Sequence, residues 1–437
     1  MIVSILQDWT EFFLRWLHVI AAIFWVGLAL GFLRLNLTLK SRNLHAEEAR
    51  SAVSKHGQMQ ASFETPATRA PQDEARGRED IWRAADDGFF RIAREMNVPA
   101  DGEPQIGWFR WEAYVVWLSG FALMVALYFV KADLYLIDPA VLALKTWQAI
   151  GLAILALIVG WLGYDYLAKT SWSESARRAA IFVFLVACAF ALTHAFSGRG
   201  AFLVFGAIIG TNMAANVAHY LVPNQRRMLE AVRTGVAPDE ARLAVSRQRA
   251  LHNNYFALPV LFLMLANHYP LAFASRFNWL IASLALIAGA AIRHFYIARH
   301  RGSGDLWWTW ALAAAAGVAM VALSILGVET PRSRAAAPAS AMDAIASVVA
   351  PRFADVEEIV ADRCAVCHAR APSWPGLAAA PKGVMLETPA QILAHAHAIA
   401  AQAVWTRAMP PPGAEIPLGD DERRTLALWL AAGAPAR

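Results

Sequence analysis

Eight apolar stretches of about 20 residues dominate this sequence and restrict what it can fold into. A helix of that length rises about 30 Å, which is the thickness of the hydrocarbon core of a bilayer. Helices also satisfy their own backbone hydrogen bonds, as the interior of a membrane requires. The sequence therefore predicts an all-α, polytopic membrane protein. The predicted spans are residues 9–33, 111–130, 142–167, 179–197, 201–221, 255–274, 277–298 and 306–328.

The composition argues against an ordinary soluble protein. Hydrophobic residues make up 58% of the 437 residues and charged residues only 17%, which is far from the usual balance of a soluble domain. The formal net charge is +5, but the basic residues gather in the connections between apolar stretches. We interpret this charge as a signal of membrane topology, and we predict no binding of nucleic acid.

Connections rich in arginine alternate along the chain with connections that contain few basic residues. The rich ones are residues 34–110, the short connection with Lys169, residues 223–254 and the connection with Arg299. Basic connections stay on the cytoplasmic side of a membrane. This predicts a protein of the bacterial inner membrane, with the N-terminus and the C-terminal segment on the periplasmic side.

The chain is predicted to have two domains. Residues 1–328 form the membrane domain, which includes a cytoplasmic insert at residues 34–110. Residues 329–349 are rich in Ala, Pro and Ser and are predicted to be a linker, and residues 350–437 form a C-terminal domain. Within the insert, amphipathic helices are predicted over residues 44–63 and 81–96.

The C-terminal domain contains the sequence Cys364-Ala365-Val366-Cys367-His368. This C-x-x-C-H spacing is typical of covalent attachment of haem c, with two thioether bonds from the cysteines and an iron ligand from the histidine. Helices are predicted over residues 353–363 and 421–432. We therefore predict a class I-like cytochrome c domain with one covalent haem c, held by Cys364 and Cys367, with His368 on the iron.

A methionine is predicted as the sixth ligand of the haem iron. Met409 is the first choice, because three prolines that follow it stiffen its loop. Met385 is the competitor. Ligation by either methionine raises the reduction potential relative to two histidines, which suits an electron acceptor.

The cysteines also allow other interpretations. Cys364 and Cys367 could bind zinc together with His395 and His397, although a histidine directly after C-x-x-C favours haem. The third cysteine, Cys188, lies in an apolar stretch and is interpreted as a packing residue.

Polar side chains within the apolar stretches are the candidates for chemistry in the membrane domain, because burying them in lipid is costly. The candidate catalytic residues are His18, Arg199, Asn267 and His268. Arginine suits the anionic edge of a flat heterocycle and amides suit its donors and acceptors. Histidines at one depth, such as His18, His194 and His268, also suit a b-type haem or simple bonds between helices. Further polar residues near the cytoplasmic side are Asp165, Asn212, Asn216, His219, His252 and His294.

Short segments along almost the whole chain are similar to those of the membrane-bound urate hydroxylase family (PuuD type), also described as cytochrome-c-linked urate oxidases. This resemblance implies an eight-helix membrane domain that oxidises urate to 5-hydroxyisourate and passes electrons through its own haem c to a respiratory acceptor. It also implies a substrate site among the helices. The helices themselves are expected to contact the lipid bilayer around them. The segments are WLHV at 16–19, WFRWEAY at 108–114, WLSG at 117–120, FSGRGAF at 196–202, PNQR at 223–226, HNNY at 252–255, LPVLF at 258–262, NHYP at 267–270, WPGL at 374–377, APKGV at 380–384 and MPP at 409–411.

Two other functions fit the same residues. The protein could be a respiratory electron-transfer subunit that takes electrons from quinol and has no purine substrate. It could also be a transporter or a membrane tether that bears a cytochrome c.

Overall fold

In this computed structural model, not every residue is described. The predicted helix at residues 44–63 and the predicted linker at residues 329–349 lie outside the described residues. The described residues are 9–31, 79–85, 88–94, 110–237, 239–301, 304–327, 351–375, 377, 379–411, 414 and 416–436.

The membrane domain is built from helices. Among the described residues, seven helices are long and apolar enough to cross a membrane. The helices are α1 (Trp9–Gly31), α2 (Trp111–Met124, continued by the π-helix Val125–Phe129), α3 (Ala132–Tyr135), α4 (Thr146–Lys169), α5 (Glu174–Thr193), α6 (Gly198–Asn216, continued by the π-helix Val217–Leu221), α7 (Val222–Arg233), α8 (Glu240–Ala266), α9 (Pro270–Phe273), α10 (Asn278–His300) and α11 (Trp308–Leu326).

Seven of the eight predicted spans are confirmed as apolar helices, and the sixth needs a correction. The prediction placed that span at residues 255–274, but α8 ends at Ala266 and a new helix begins at Pro270. Proline suits the first position of a helix, where no backbone N–H is needed, and this explains the new start. Pro259 lies inside α8 without ending it. Its ring packs against Gly289, where an added Cβ would lie 2.5 Å from the Pro259 Cδ.

The insert contains strands where a helix was predicted. Strands β1 (Glu79–Ala85) and β2 (Gly88–Arg94) pair antiparallel, with Ala85 opposite Gly88, so the predicted helix over residues 81–96 is wrong. Isoleucine, tryptophan and phenylalanine favour strands, and the sequence Asp-Asp-Gly favours a tight connection. The helical fold class is otherwise confirmed.

The start of α1 and the end of α2 lie at the same end of the helix bundle, where the Lys131 Nζ is 3.2 Å from the Glu11 Oε1. We call this end of the bundle the outer end. The opposite end, where Lys169 lies, is the inner end.

Helix α6 lies at the centre of the bundle, since 67% of its most apolar stretch is buried inside the protein. Ser197 caps its first turn by accepting a hydrogen bond from the Gly200 N–H, a contact that stabilises a helix by about 1 kcal/mol.

The C-terminal residues form a helical unit with an apolar core of their own, which includes Val356, Val360, Leu426 and Trp429. We call it the C-terminal unit. Its first and last helices match the predicted positions. Its helices are α12 (Phe353–Arg363), α13 (Ala365–His368), a 3-10 turn (Pro381–Gly383), α14 (Pro389–Ala394), α15 (Ala396–Ile399, continued by the π-helix Ala400–Trp405) and α16 (Asp420–Ala431).

Candidate functional site

Arg199 lies half-buried in the first turn of α6, at the outer end of the bundle. Its guanidinium carbon is 5.5 Å from the ring centre of Tyr135 and 5.3 Å from that of Phe273. Aromatic faces attract a cation at this range. Among the described residues no carboxylate pairs with Arg199. Its positive charge is therefore oriented but not neutralised.

The backbone around Ser197 explains why Arg199 reaches this position. The Ser197 hydroxyl donates to the Tyr135 carbonyl at 2.7 Å, and the Ser197 N–H donates to the Leu136 carbonyl at 2.9 Å. At Gly198, an added Cβ would lie only 2.1 Å from the Phe273 carbonyl oxygen. Glycine thus allows the chain to approach Phe273, and Arg199 follows between the two rings.

Asn267 lies at the same end of the bundle, in the connection after α8. The Tyr128 hydroxyl donates to the Asn267 Oδ1 at 3.2 Å, and the Asn267 Nδ2 donates to the Leu263 carbonyl at 3.3 Å. Arg199 and Arg15 both lie close enough to act electrostatically on Tyr128. The ends of α1, α2, α6 and α8 therefore converge on one polar area.

His268 follows Asn267 and is exposed to solvent at the same end. Partial burial, and then the positive charges of Lys382, Arg15 and Arg199, lower the pKa of His268. The imidazole is therefore neutral at pH 7, and a neutral imidazole can accept a proton. Lys382 belongs to the C-terminal unit, so that unit lies near this area.

Cations outnumber carboxylates here. Glu11 pairs with both Arg15, at 3.5 Å, and Lys131, at 3.2 Å, while Arg199 has no such partner among the described residues. A net positive area with an exposed histidine suits an anionic ligand. We call Arg199, Asn267, His268 and Tyr128 the outer site.

The structure does not bring His18 to the outer site. The His18 Nδ1 lies 3.0 Å from the Val116 carbonyl and 3.1 Å from the Ser119 hydroxyl. Ser119 precedes Tyr128 by nine positions, which is roughly 13 Å along a helix. His18 packs on Gly120, where an added Cβ would lie 2.8 Å from its Cε1. In this structure it connects α1 to α2.

The geometry of the C-x-x-C-H segment fits a covalently bound haem. Cys364 and Cys367 are free and half-buried, at the surface of the C-terminal unit. The His368 Nδ1 lies 2.9 Å from the Val384 carbonyl, which is positioned to accept a hydrogen bond from it. Such a bond fixes the ring and leaves Nε2 for a metal, as is usual for histidines that bind iron.

Both candidate methionine ligands are half-buried. The Met409 N–H donates to the Gln402 carbonyl at 2.9 Å, which connects its loop to the π-helix after α15. Met385 directly follows Val384. Among the described residues, no three His, Cys, Asp or Glu side chains group in a way that could hold a metal ion.

A buried ionic network at the inner end was only partly predicted. Arg249 is 1% exposed, and its Nη2 lies 2.8 Å from the Asp165 Oδ1. Asp165 also pairs with Lys169 at 2.6 Å and accepts a hydrogen bond from the Tyr220 hydroxyl at 2.6 Å. A buried arginine requires such a partner, because an unpaired charge in the interior is very costly.

Amide and aromatic side chains extend this network into the bundle. The Asn216 Nδ2 donates to the Tyr164 hydroxyl and to the Asn253 Oδ1, both at 2.8 Å. The Tyr164 hydroxyl is 2.9 Å from the His252 Nδ1. Sequence reasoning noted Asn216 and His252 but missed Arg249, because it expected residues 223–254 to be a connection. The spacing of Arg249 from His252 and Asn253, three and four positions, was the available signal for one helical face.

The fold and the outer site together define a helical protein with seven described helices that could cross a membrane and a cationic polar area at one end of its bundle. The chain belongs to the urate oxidase N-terminal family, since the family model matches residues 4–324, more than half of the sequence. The match begins before α1, ends within α11 and does not include the C-terminal unit. No curated protein and no solved structure matches this chain. The resemblance noted from the sequence is confirmed at the level of a urate-oxidase-related family.

Proposed function

We propose that this protein oxidises urate, or a closely related purine, to 5-hydroxyisourate at the outer site. The family supports a urate-related oxidoreductase, and the outer site supplies the charge that a purine anion needs. The reaction consumes one urate and one water and yields 5-hydroxyisourate, two protons and two electrons. Cys364, Cys367 and His368 of the C-terminal unit would hold a haem c, which would take up the electrons one at a time.

The observation that carries this proposal is the state of Arg199. Arg199, Arg249 and Arg293 all lie within the membrane domain and differ in their partners; Arg293 is buried, and its Nη2 donates to the Asn254 Oδ1 at 2.9 Å. Arg249 is buried against Asp165 at 2.8 Å, so its charge is already matched within the protein. Arg199 has aromatic rings around it and no carboxylate partner among the described residues. An anionic substrate therefore gains more at the outer site than at the inner network.

Each outer-site residue has a role in this reaction. Arg199 binds the anionic edge of the purine, and the ring of Tyr135 or Phe273 beside it offers a flat face. Tyr128 holds Asn267 at the rim of the site. His268, neutral at pH 7 because its pKa is lowered, accepts a proton as water adds to the substrate.

Cys364, Cys367 and His368 are the proposed haem-binding residues, with Met409 as the sixth ligand and Met385 as the competitor. A haem bound there would accept one electron at a time. The hydrogen bond geometry between His368 and Val384 supports this assignment. Haem staining after denaturing electrophoresis tests it. A stained band is expected for the protein and not for a Cys364→Ser, Cys367→Ser double variant.

The proposed setting is the bacterial inner membrane. The start of α1 and the C-terminal unit share the outer end, and the basic residues Lys169, Arg178 and Arg299 lie at the inner end, which supports a periplasmic outer site. A respiratory electron acceptor on the periplasmic side would then take electrons from the haem.

The variant Arg199→Gln tests the substrate site. Loss of a hydrogen bond to a charged group costs about 1.5–3 kcal/mol, so urate should bind roughly 10- to 100-fold more weakly. Arg227→Gln, an exposed position on α7 at the inner end, is the matched control and should bind urate as the natural protein does. Equal affinity of both variants would contradict the proposal.

A further inference from the structure

A buried arginine with no acidic partner lies near the inner end of the bundle. Arg293 is 9% exposed and lies on α10, about two turns before that helix ends at His300. Its Nη2 donates to the Asn254 Oδ1 on α8 at 2.9 Å. No carboxylate of the described residues pairs with Arg293, and in that same part of the chain its Nε has no hydrogen-bond partner. The guanidinium therefore has a free donor that is buried inside the protein.

Asn254 orients Arg293 but does not neutralise it. The Asn254 side chain is 4% exposed, and its Nδ2 donates to the Ala250 carbonyl at 2.9 Å. Its Oδ1 is thereby turned toward Arg293, but an amide carries no net charge. A buried cation held only by a neutral group is very costly, because burial removes the water that would otherwise solvate the charge.

The two other arginines of the membrane domain do not have this unbalanced charge in the interior. Arg249 is buried but pairs with Asp165 at 2.8 Å. Arg199 lacks an acid among the described residues, but it is only half-buried, so water also reaches it. Arg293 is both buried and without an acid, and an anion that enters from outside the chain would remove this cost.

Aromatic side chains next to Arg293 indicate its level in the membrane. The neighbouring His294 has its ring centre 6.2 Å from that of Trp308, and its Nδ1 lies 2.8 Å from the Tyr255 hydroxyl. Trp307 and Trp308, at the start of α11, are both exposed. Tryptophan and tyrosine concentrate where lipid head groups meet the hydrocarbon. Arg293 thus lies close to the level of the head groups at the inner end.

We propose that Arg293, oriented by Asn254, binds a phosphate group between α8 and α10. A guanidinium presents its donors in a planar fork that matches two oxygens of a phosphate. Anionic phospholipids and inorganic phosphate both supply this group, and basic pockets between helices on the cytoplasmic side bind lipid head groups. The site is separate from the outer site, and its existence does not depend on the proposed function.

Thermal unfolding of the delipidated, full-length protein in neutral detergent tests this inference. Phosphatidylglycerol, inorganic phosphate and urate are added in separate experiments, and phosphatidylcholine, which has no net charge, is the lipid control. Arg293→Met removes the charge and nearly keeps the length of the side chain. Arg299→Gln is the matched control, because Arg299 is exposed on the same helix and pairs with Asp305 at 3.4 Å.

We expect the Tm of the natural protein to rise by roughly 2–5 °C with saturating phosphatidylglycerol or inorganic phosphate. A rise with the lipid alone assigns the site to a head group, and a rise with inorganic phosphate alone assigns it to the free anion. Arg299→Gln should show the same rise, whereas Arg293→Met should bind at least 10-fold more weakly. Without added anion, Arg293→Met should unfold at the same temperature as the natural protein or a higher one, because an uncompensated buried charge is gone.

Three results would overturn the inference. The first is a natural protein that neither phosphate source stabilises, and this result needs no variant to fold. The second is a rise that Arg293→Met keeps or that phosphatidylcholine gives equally, since this would be a general effect of lipid or salt. The third is a rise that urate gives and Arg293→Met loses, because the pocket would then bind the purine instead of a phosphate.

Discussion

At the scale of single residues, Arg199 and Arg249 show that the same type of side chain can have two different roles. Arg249 is buried and matched by Asp165, and its ring neighbours are Tyr164 and Tyr220, at 5.3 and 4.3 Å. Its role is to hold α4, α6 and α8 together at the inner end. Arg199 has similar aromatic neighbours and no acidic partner among the described residues, and this difference is the reason we propose the ligand site at the outer end.

The inner network predicts an unequal effect of removing its two charges. In Asp165→Asn, the buried Arg249 loses its carboxylate partner among the described residues, which should destabilise the protein by about 3 kcal/mol. In Arg249→Met, Asp165 keeps Lys169 at 2.6 Å and the Tyr220 hydroxyl, so the loss should be smaller. Thermal unfolding in detergent should rank Asp165→Asn as the less stable variant, and the reverse order would show that the network is misassigned.

Gly198 predicts a second effect at the residue scale. In Gly198→Ala the new methyl group would lie 2.1 Å from the Phe273 carbonyl oxygen, and neither backbone can move easily. The start of α6 must shift, and urate affinity should fall at least 10-fold. Gly210→Ala in the same helix meets nothing within 4 Å and should leave affinity unchanged. A normal affinity for Gly198→Ala would mean that Arg199 does not need this close approach.

At the scale of elements, an ion pair connects the first and last helices of the C-terminal unit. The Arg363 Nη2 on α12 lies 2.9 Å from the Glu422 Oε1 on α16. Partial burial by itself raises the pKa of Glu422, but the hydrogen bonds from Arg363 and from the Gly419 N–H outweigh it and lower the pKa below the ordinary value of 4.5. Because the folded pKa is lowered, this stabilisation is present above pH 4.5 and is lost as the pH falls through the folded value.

The variant Glu422→Gln should therefore weaken the packing of α12 on α16 at pH 7 but not at a pH below the folded pKa of Glu422. The pair is partly exposed, so the loss should be about 1 kcal/mol or less. Hydrogen–deuterium exchange of α16 in the full-length protein measures it, by comparison with the natural chain at each pH. Glu358→Gln, an exposed position on α12, is the control. An equal loss at both pH values would rule out the ionised pair as the cause.

Helices were predictable from the sequence where apolar length alone decides them, as in α4 and α11. The same signal failed at α8, because its first half carries Arg249, His252 and Asn253 and looks like a connection. The hydrogen bond between Arg249 and Asp165 joins positions 84 residues apart. No local pattern reports such a contact, since it depends on how the helices pack.

At the scale of the whole molecule, residues of the candidate site were predictable where they differ from their local sequence, and not where packing alone decides their position. Arg199, Asn267 and His268 were found from the sequence because polar residues are conspicuous in apolar surroundings. His18 was included by the same reasoning, but packing places it between α1 and α2.

We propose that substrate electrons pass from the outer site to a haem c in the same chain. Its most direct test is to add urate, without oxygen, to the purified and oxidised full-length protein and to record the visible spectrum. The account predicts that the spectrum of ferrous haem c appears and that it appears far more slowly in Arg199→Gln. A haem that dithionite reduces and urate leaves oxidised would contradict the account.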